Sequence, residues 1–91
     1  MTKTIIRSLI SPDSTPTYLT YDPNIEYDKG YDFIWGIDQA TRFKTSKKAE
    51  AAYKEAKEVF EDIYNTSDVA FVTVAPVPWW KFWIKTKWIE K

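Results

Sequence analysis

Cysteine and histidine are both absent from this 91-residue chain. Their absence removes disulfides, thiolate chemistry and the usual transition-metal ligands together. Small secreted domains often depend on disulfide staples, so a cytoplasmic location is expected. Glycine is almost as scarce. Gly30 and Gly36 stand apart from each other, so no phosphate-cradling loop can be assembled. Net charge is missing too, because 13 Lys and Arg balance 13 Asp and Glu. A neutral chain exerts little long-range attraction on nucleic acid, anionic membrane or acidic substrate. It is also prone to associate. No segment approaches the roughly 18 apolar residues that a membrane-spanning helix needs. Residues 1–11 (MTKTIIRSLIS) lack the long apolar core and cleavage site of a signal peptide. The expectation is a protein without cofactor, metal, membrane or small-molecule substrate.

What the sequence does hold is apolar and aromatic. Hydrophobic residues make up 44% of the chain and aromatics 18%, with five Trp, six Tyr and five Phe. That argues against disorder and for a single domain with one modest core. The one long helical pattern runs from Ser46 to Tyr64. Ala49, Ala52, Tyr53, Ala56, Val59, Phe60 and Ile63 fall three and four apart, on one stripe of a helix. Lysines and glutamates occupy the opposite face, with Glu50 and Lys54, and Lys57 and Glu61, at pairing distance. Thr45 or Ser46 can cap the start and Asn65 can end it. Three alanines on the inner stripe permit close approach to a flat surface, so the helix is expected to lie on a sheet.

Five strands are expected around it. Residues 3–10 and 17–21 are β-branched or alternating, with a Pro- and Asp-containing turn between them. Residues 31–37 place Phe33, Trp35 and Ile37 on one face. Residues 38–44 lead into the helix, with Phe43 folding over its first turn. Residues 68–75 are apolar on both faces, as a central strand is. Pro76 and Pro78 interrupt the pattern, since neither can donate to a ladder. Residues 79–90 then alternate, with Trp80, Phe82, Ile84, Thr86 and Trp88 on one side and Lys81, Trp83, Lys85, Lys87 and Ile89 on the other. The order β-β-β-α-β-β predicts an α+β domain, a mostly antiparallel sheet of four or five strands with one amphipathic helix on one face.

Chemistry-bearing constellations are few. Asp22, Glu26, Asp28 and Asp32 could converge on a cation or do acid–base work, but their spacing is not that of an EF-hand and a solvated acidic loop explains them. No enzyme is expected. The carboxy-terminal stretch is the unusual one, with Trp79, Trp80, Phe82, Trp83 and Trp88 interleaved with Lys81, Lys85, Lys87 and Lys91. Core aromatics on an edge strand protected by lysines explain it structurally. Aromatic faces with lysines could also serve single-stranded nucleic acid.

A single helix covers a single sheet face, and the pattern offers apolar residues on two. The second cover is either the loop of residues 11–32, with its tyrosines, or another protein. The candidate contact residues are Trp35, Trp79, Lys81, Trp83, Lys85, Lys87 and Ile89, and the partner is a protein or a second copy of the chain.

Residues 38–56 (DQATRFKTSKKAEAAYKEA) resemble a pattern in small uncharacterised proteins of bacterial phages and prophages. There a hairpin leads through an A-x-x-F-x-[ST] turn into a helix with alanine on its inner face, followed by a closing strand. Ala40, Phe43, Thr45, Ala49 and Ala52 fit it, and the Trp-rich carboxy-terminal segment departs from it. The resemblance implies a fold type and an accessory protein in the host cytoplasm that binds host machinery, such as a defence system it inhibits. It implies no catalytic residue.

Overall fold

The computed structural model describes residues 2–90. Its centre is strand β1 (Lys3–Leu9). Ile5 and Ile6 are both fully buried, and successive strand residues point to opposite faces, so β1 anchors a core on each side of one sheet. β2 (Thr17–Tyr21) and β3 (Tyr31–Trp35) follow. The main helix α1 (Ser46–Val59), a short α2 (Glu61–Thr66), β4 (Asp68–Pro76) and β5 (Trp88–Glu90) complete the chain. The strands form one five-stranded antiparallel sheet in the order β3-β2-β1-β4-β5. The protein is therefore α+β, with its main helix inserted between β3 and β4.

α1 begins where Thr45 accepts a hydrogen bond from Lys48 N–H through its hydroxyl, at 3.2 Å. That satisfies one of the amides left over at a helix start. Ala49, Ala52 and Ala56 are buried against the sheet. The lack of bulk at Ala52 and Ala56 lets the helix settle on Ile6 and Leu19, with Phe33, Tyr53, Phe60 and Tyr64 closing around them. The expected single helix over 46–64 is interrupted at Phe60, whose backbone (φ −116°, ψ 44°) leaves the helical region. There the chain bends so that Phe60 and Tyr64 both meet Phe33 edge-on, at ring distances of 5.5 and 6.2 Å. The Tyr64 hydroxyl donates to the carbonyl of Tyr53. The helix pairs expected between Glu50 and Lys54 and between Lys57 and Glu61 are not among the ion pairs formed by the described residues. Glu58 instead meets Lys29 at 2.9 Å.

The second sheet face is covered, but by neither of the expected covers. Gly36, at φ 100°, ends β3 two residues short of the expected strand and turns the chain under the sheet. Ile37 and Ala40 then pack with Ile5, Tyr18, Val72, Val74 and Trp88 in a second core. Ile37 thus lies on the face opposite Phe33. Past Ala40 the chain returns to the helix side between two strands. β1 and β2 pair through Arg7 with Tyr18 and Ser8 with Thr17, then separate. Residues 41–43 fill the gap. Phe43 exchanges two backbone hydrogen bonds with Thr4, at 3.0 and 2.8 Å, and Thr41 N–H donates to the Leu19 carbonyl. Tyr21 N–H donates to the Thr41 hydroxyl. Buried backbone groups need partners, and this short segment supplies them to both separated strands. Phe43 ends in the helix-side core.

Candidate interaction surface

The largest departure from the sequence pattern lies between β4 and β5. Residues 79–90 do not form one alternating strand. Only Trp88–Glu90 pairs with β4, and residues 77–87 form a loop. The cause is local and tertiary together. Pro76 and Pro78 cannot donate hydrogen bonds to a ladder. β5 is also the outermost strand, next to β4, and the helix-side core, which takes in β1, β2, β3 and Val69 of β4, does not extend to it. The second core takes in Trp88, whereas the rings of residues 79–83 belong to neither core.

The base of the loop is clamped. Val77 N–H donates to the Lys87 carbonyl at 2.9 Å. The Asp38 carboxylate accepts from the backbone N–H groups of Lys87 and Trp88, at 2.8 to 3.0 Å. Asp38 belongs to the segment that covers the second face, so one side chain ties that cover to the start of β5. The Arg42 guanidinium lies 4.8 Å from the centre of the Trp88 ring, an attractive placement for a cation. Arg7 and Glu90 close the same side of the sheet with an ion pair at 2.9 Å.

Beyond this base the loop folds through two turns, Lys81 N–H to the Pro78 carbonyl and Ile84 N–H to the Lys81 carbonyl. Its apex presents four aromatic side chains to solvent. Trp79 is 91% exposed, Phe82 87%, Trp83 64% and Trp80 52%. Three of them lean on one another, with Trp83 edge-on to Trp80 at 6.3 Å and to Phe82 at 5.8 Å. The Lys81 ammonium lies 5.0 Å from the Trp80 ring centre, and Lys85 and Lys87 are exposed. No carboxylate occurs between Asp68 and Glu90 in the sequence. The nearby Asp38 is already engaged by backbone amides, so the loop is a local cationic and aromatic projection on a neutral chain.

Of the residues expected to share a contact surface, Trp79, Lys81, Trp83, Lys85 and Lys87 lie together here. Ile89 is half-buried in β5 opposite Ala75. Trp35 is 70% exposed but distant in the fold. It ends β3 at one edge of the sheet, paired with Thr17 near the carboxy-terminal end of β1. The loop leaves β4 at the other edge, next to the amino-terminal end of β1. The two tryptophans occupy opposite corners and cannot meet one surface together. Trp80 and Phe82, which the alternation assigns to the core, belong to the exposed cluster. The Pro-x-Pro step at 76–78 was the available signal for them. Lys91 lies outside the described residues.

Elsewhere the charged groups serve local structure. Asp22 accepts from Asn24 N–H, and Asp32 from Phe33 N–H. No group of three or more potential metal ligands gathers among the described residues. A depression of about 370 Å³ lies along α1, lined by Lys54, Lys57, Glu58 and Glu61. Among the described residues no helix is long and apolar enough to cross a membrane. No family model, curated protein or solved structure matches this chain.

Proposed function

We propose that this chain is a small non-enzymatic accessory protein that acts by binding, with the 77–87 loop as its contact element. The observation that carries the reading is the solvent exposure of four adjacent aromatic side chains at the loop apex. A fully exposed aromatic offers on the order of 150–250 Å². Scaled by their exposures, the four together present on the order of 450–750 Å², at or above the top of the usual range for the largest apolar patch on a monomer. At about 25 cal/mol per Å², covering all of it contributes on the order of 11–19 kcal/mol. Association costs roughly 4–15 kcal/mol in lost freedom. The rings alone therefore support a modest affinity, and the lysines add to it where the partner is acidic.

Host machinery as the eventual target, and inhibition of a host defence as the outcome, are suggested by the resemblance of residues 38–56 to phage accessory proteins. Single-stranded nucleic acid has less support. Binding to nucleic acid draws mainly on counterion release by many cationic groups, and the loop brings three lysines on a chain of zero net charge.

The test compares the protein with a variant carrying Trp79→Ser, Phe82→Ser and Trp83→Ser. Because these rings are exposed, the melting temperature should change little, as for surface substitutions in general. Cross-linking in an extract of host cells should give adducts with the unmodified protein that the variant fails to form. Identical adducts from both, or a variant that unfolds, would place the contact element elsewhere.

A further inference from the structure

We propose that the loop apex inserts into the interface of an anionic lipid bilayer. The inference rests on the loop being the contact element, and it names what the loop meets: a lipid surface, where the sequence pattern alone led to the expectation of no membrane.

Three features favour a bilayer over a protein surface. The apex projects, with Trp79 and Phe82 almost fully exposed. Protruding rings can enter a soft interface without a preformed complementary recess. Tryptophan is also the residue enriched at the headgroup level of membranes, where its apolar body and polar N–H are both accommodated. Second, every cation of the loop is lysine. Protein–protein interface cores are enriched in arginine and depleted of lysine, whereas lysines beside an anionic leaflet are attracted to it and can extend along their own stems to the headgroups.

The third feature is the distribution of charge. Lys81, Lys85 and Lys87 stand in a segment with no carboxylate, on a chain whose total charge is zero. The rest of the chain therefore carries a compensating acidic surplus. Asp22, Glu26 and Asp28 lie in the connection leading into β3, at the far edge of the sheet. An anionic surface would attract the loop and repel that edge, which orients the molecule apex first. Such a loop lies in the interface and does not span it, so the lack of a membrane-crossing helix among the described residues is no obstacle.

The experiment uses the full chain and sedimented vesicles of phosphatidylcholine with and without phosphatidylglycerol, at low and high salt. The expected result is binding to the anionic vesicles, with a blue shift of tryptophan emission, and weak binding to phosphatidylcholine alone. One lysine near an anionic surface is worth roughly a fivefold gain. Replacing Lys81, Lys85 and Lys87 together by Gln should thus lower partitioning by on the order of a hundredfold. The Trp79→Ser, Phe82→Ser, Trp83→Ser variant should lose the blue shift. Trp35→Ser, at the opposite corner, should bind as the unmodified protein does.

No binding to anionic vesicles overturns the lipid assignment. If the cross-linking comparison still separates the protein from its loop variant, the loop is a protein-contact element. If both experiments fail, the contact element itself is misassigned. Vesicle binding that survives both loop variants overturns the assignment too. So does loop fluorescence that responds to single-stranded DNA and not to vesicles, in favour of nucleic acid.

Discussion

Asp38 is the side chain on which the loop's placement depends. Its carboxylate accepts from two consecutive backbone amides, those of Lys87 and Trp88, where the chain re-enters the sheet. Hydrogen bonds to a charged acceptor are typically worth about 1.5–3 kcal/mol, and leaving buried donors unmet adds a penalty. Trp88 is partly shielded at this point. Asp38→Ala should therefore lower stability by about 1.5–3 kcal/mol in urea titrations. It should also speed hydrogen exchange at the amides of Lys87 and Trp88, while those of β1 and β2 keep their protection relative to global unfolding. Asp38→Asn keeps one acceptor oxygen and should fall between the two. At the other edge of the sheet, Asp32 accepts from the N–H of its neighbour Phe33, at 2.8 Å. Tyr31 N–H is taken by the Asp28 carbonyl. Both engagements use donors near the start of β3, and they make its edge a poor template for a second strand.

Among elements, α1 shows how side-chain size sets distance. Ala49 and Ala56 have no exposed surface, and Ala52 has 5%. A larger side chain at Ala52 or Ala56 would push the helix away from Ile6 and Leu19. Ala56→Leu should cost about 1–3 kcal/mol through overpacking. Ala51, one face away, is exposed, and Ala51→Leu should lie within about 0.5 kcal/mol of neutral. Urea titration of the pair separates helix propensity from packing, because propensity changes equally at both sites. The turn before β3 is constrained in a different way. Gly30, at φ 83°, lies so close to the Asp22 carbonyl that a Cβ would stand 2.3 Å from that oxygen. Asp28 and Lys29 before it also take left-handed conformations, a strained arrangement in non-glycine residues that accompanies the contact of Lys29 with Glu58 on α1.

At the scale of the whole molecule, three tyrosines link the cores to pH. Burial is the main reason the Tyr31 hydroxyl is pushed up to about 12, with its hydrogen bond to Glu55 adding to the effect. Burial also raises Tyr64 and Tyr18. In the unfolded chain a tyrosine ionises near about 10. Below that pH both states hold the proton and these groups contribute no pH dependence. Above it the unfolded chain loses protons first, so stability falls as pH rises from about 10 towards 12. The loss from Tyr31 alone should be on the order of 2 kcal/mol across that window. Urea midpoints measured between about pH 8 and 11.5 should show a plateau and then a decline. Tyr31→Phe should make the decline shallower. A midpoint that does not move would mean that the hydroxyls are as free in the folded protein as in the unfolded chain.

The sequence by itself determined the class of the fold. The alanine stripe from Ala49 to Ala56, the strands at 3–9 and 17–21, and the place of β4 inside the sheet are set by periodicity and β-branching, which act over a few residues. The start of α1 at Thr45 or Ser46 is legible for the same reason, and the structure places the cap at Thr45. Tertiary structure decided what lies on the second face. Ile37 and Ala40 reach it because Gly36 turns the chain under the sheet, and Trp88 because β5 pairs with β4; the chain then returns between the separated β1 and β2, which no local pattern encodes. It also decided the fate of the Trp-rich segment. Alternating aromatics predict a strand wherever a core exists to receive one face. Here the segment follows two prolines at the edge of the sheet; Trp88 finds the second core, but the rings of residues 79–83 reach neither core and the same alternation becomes an exposed loop.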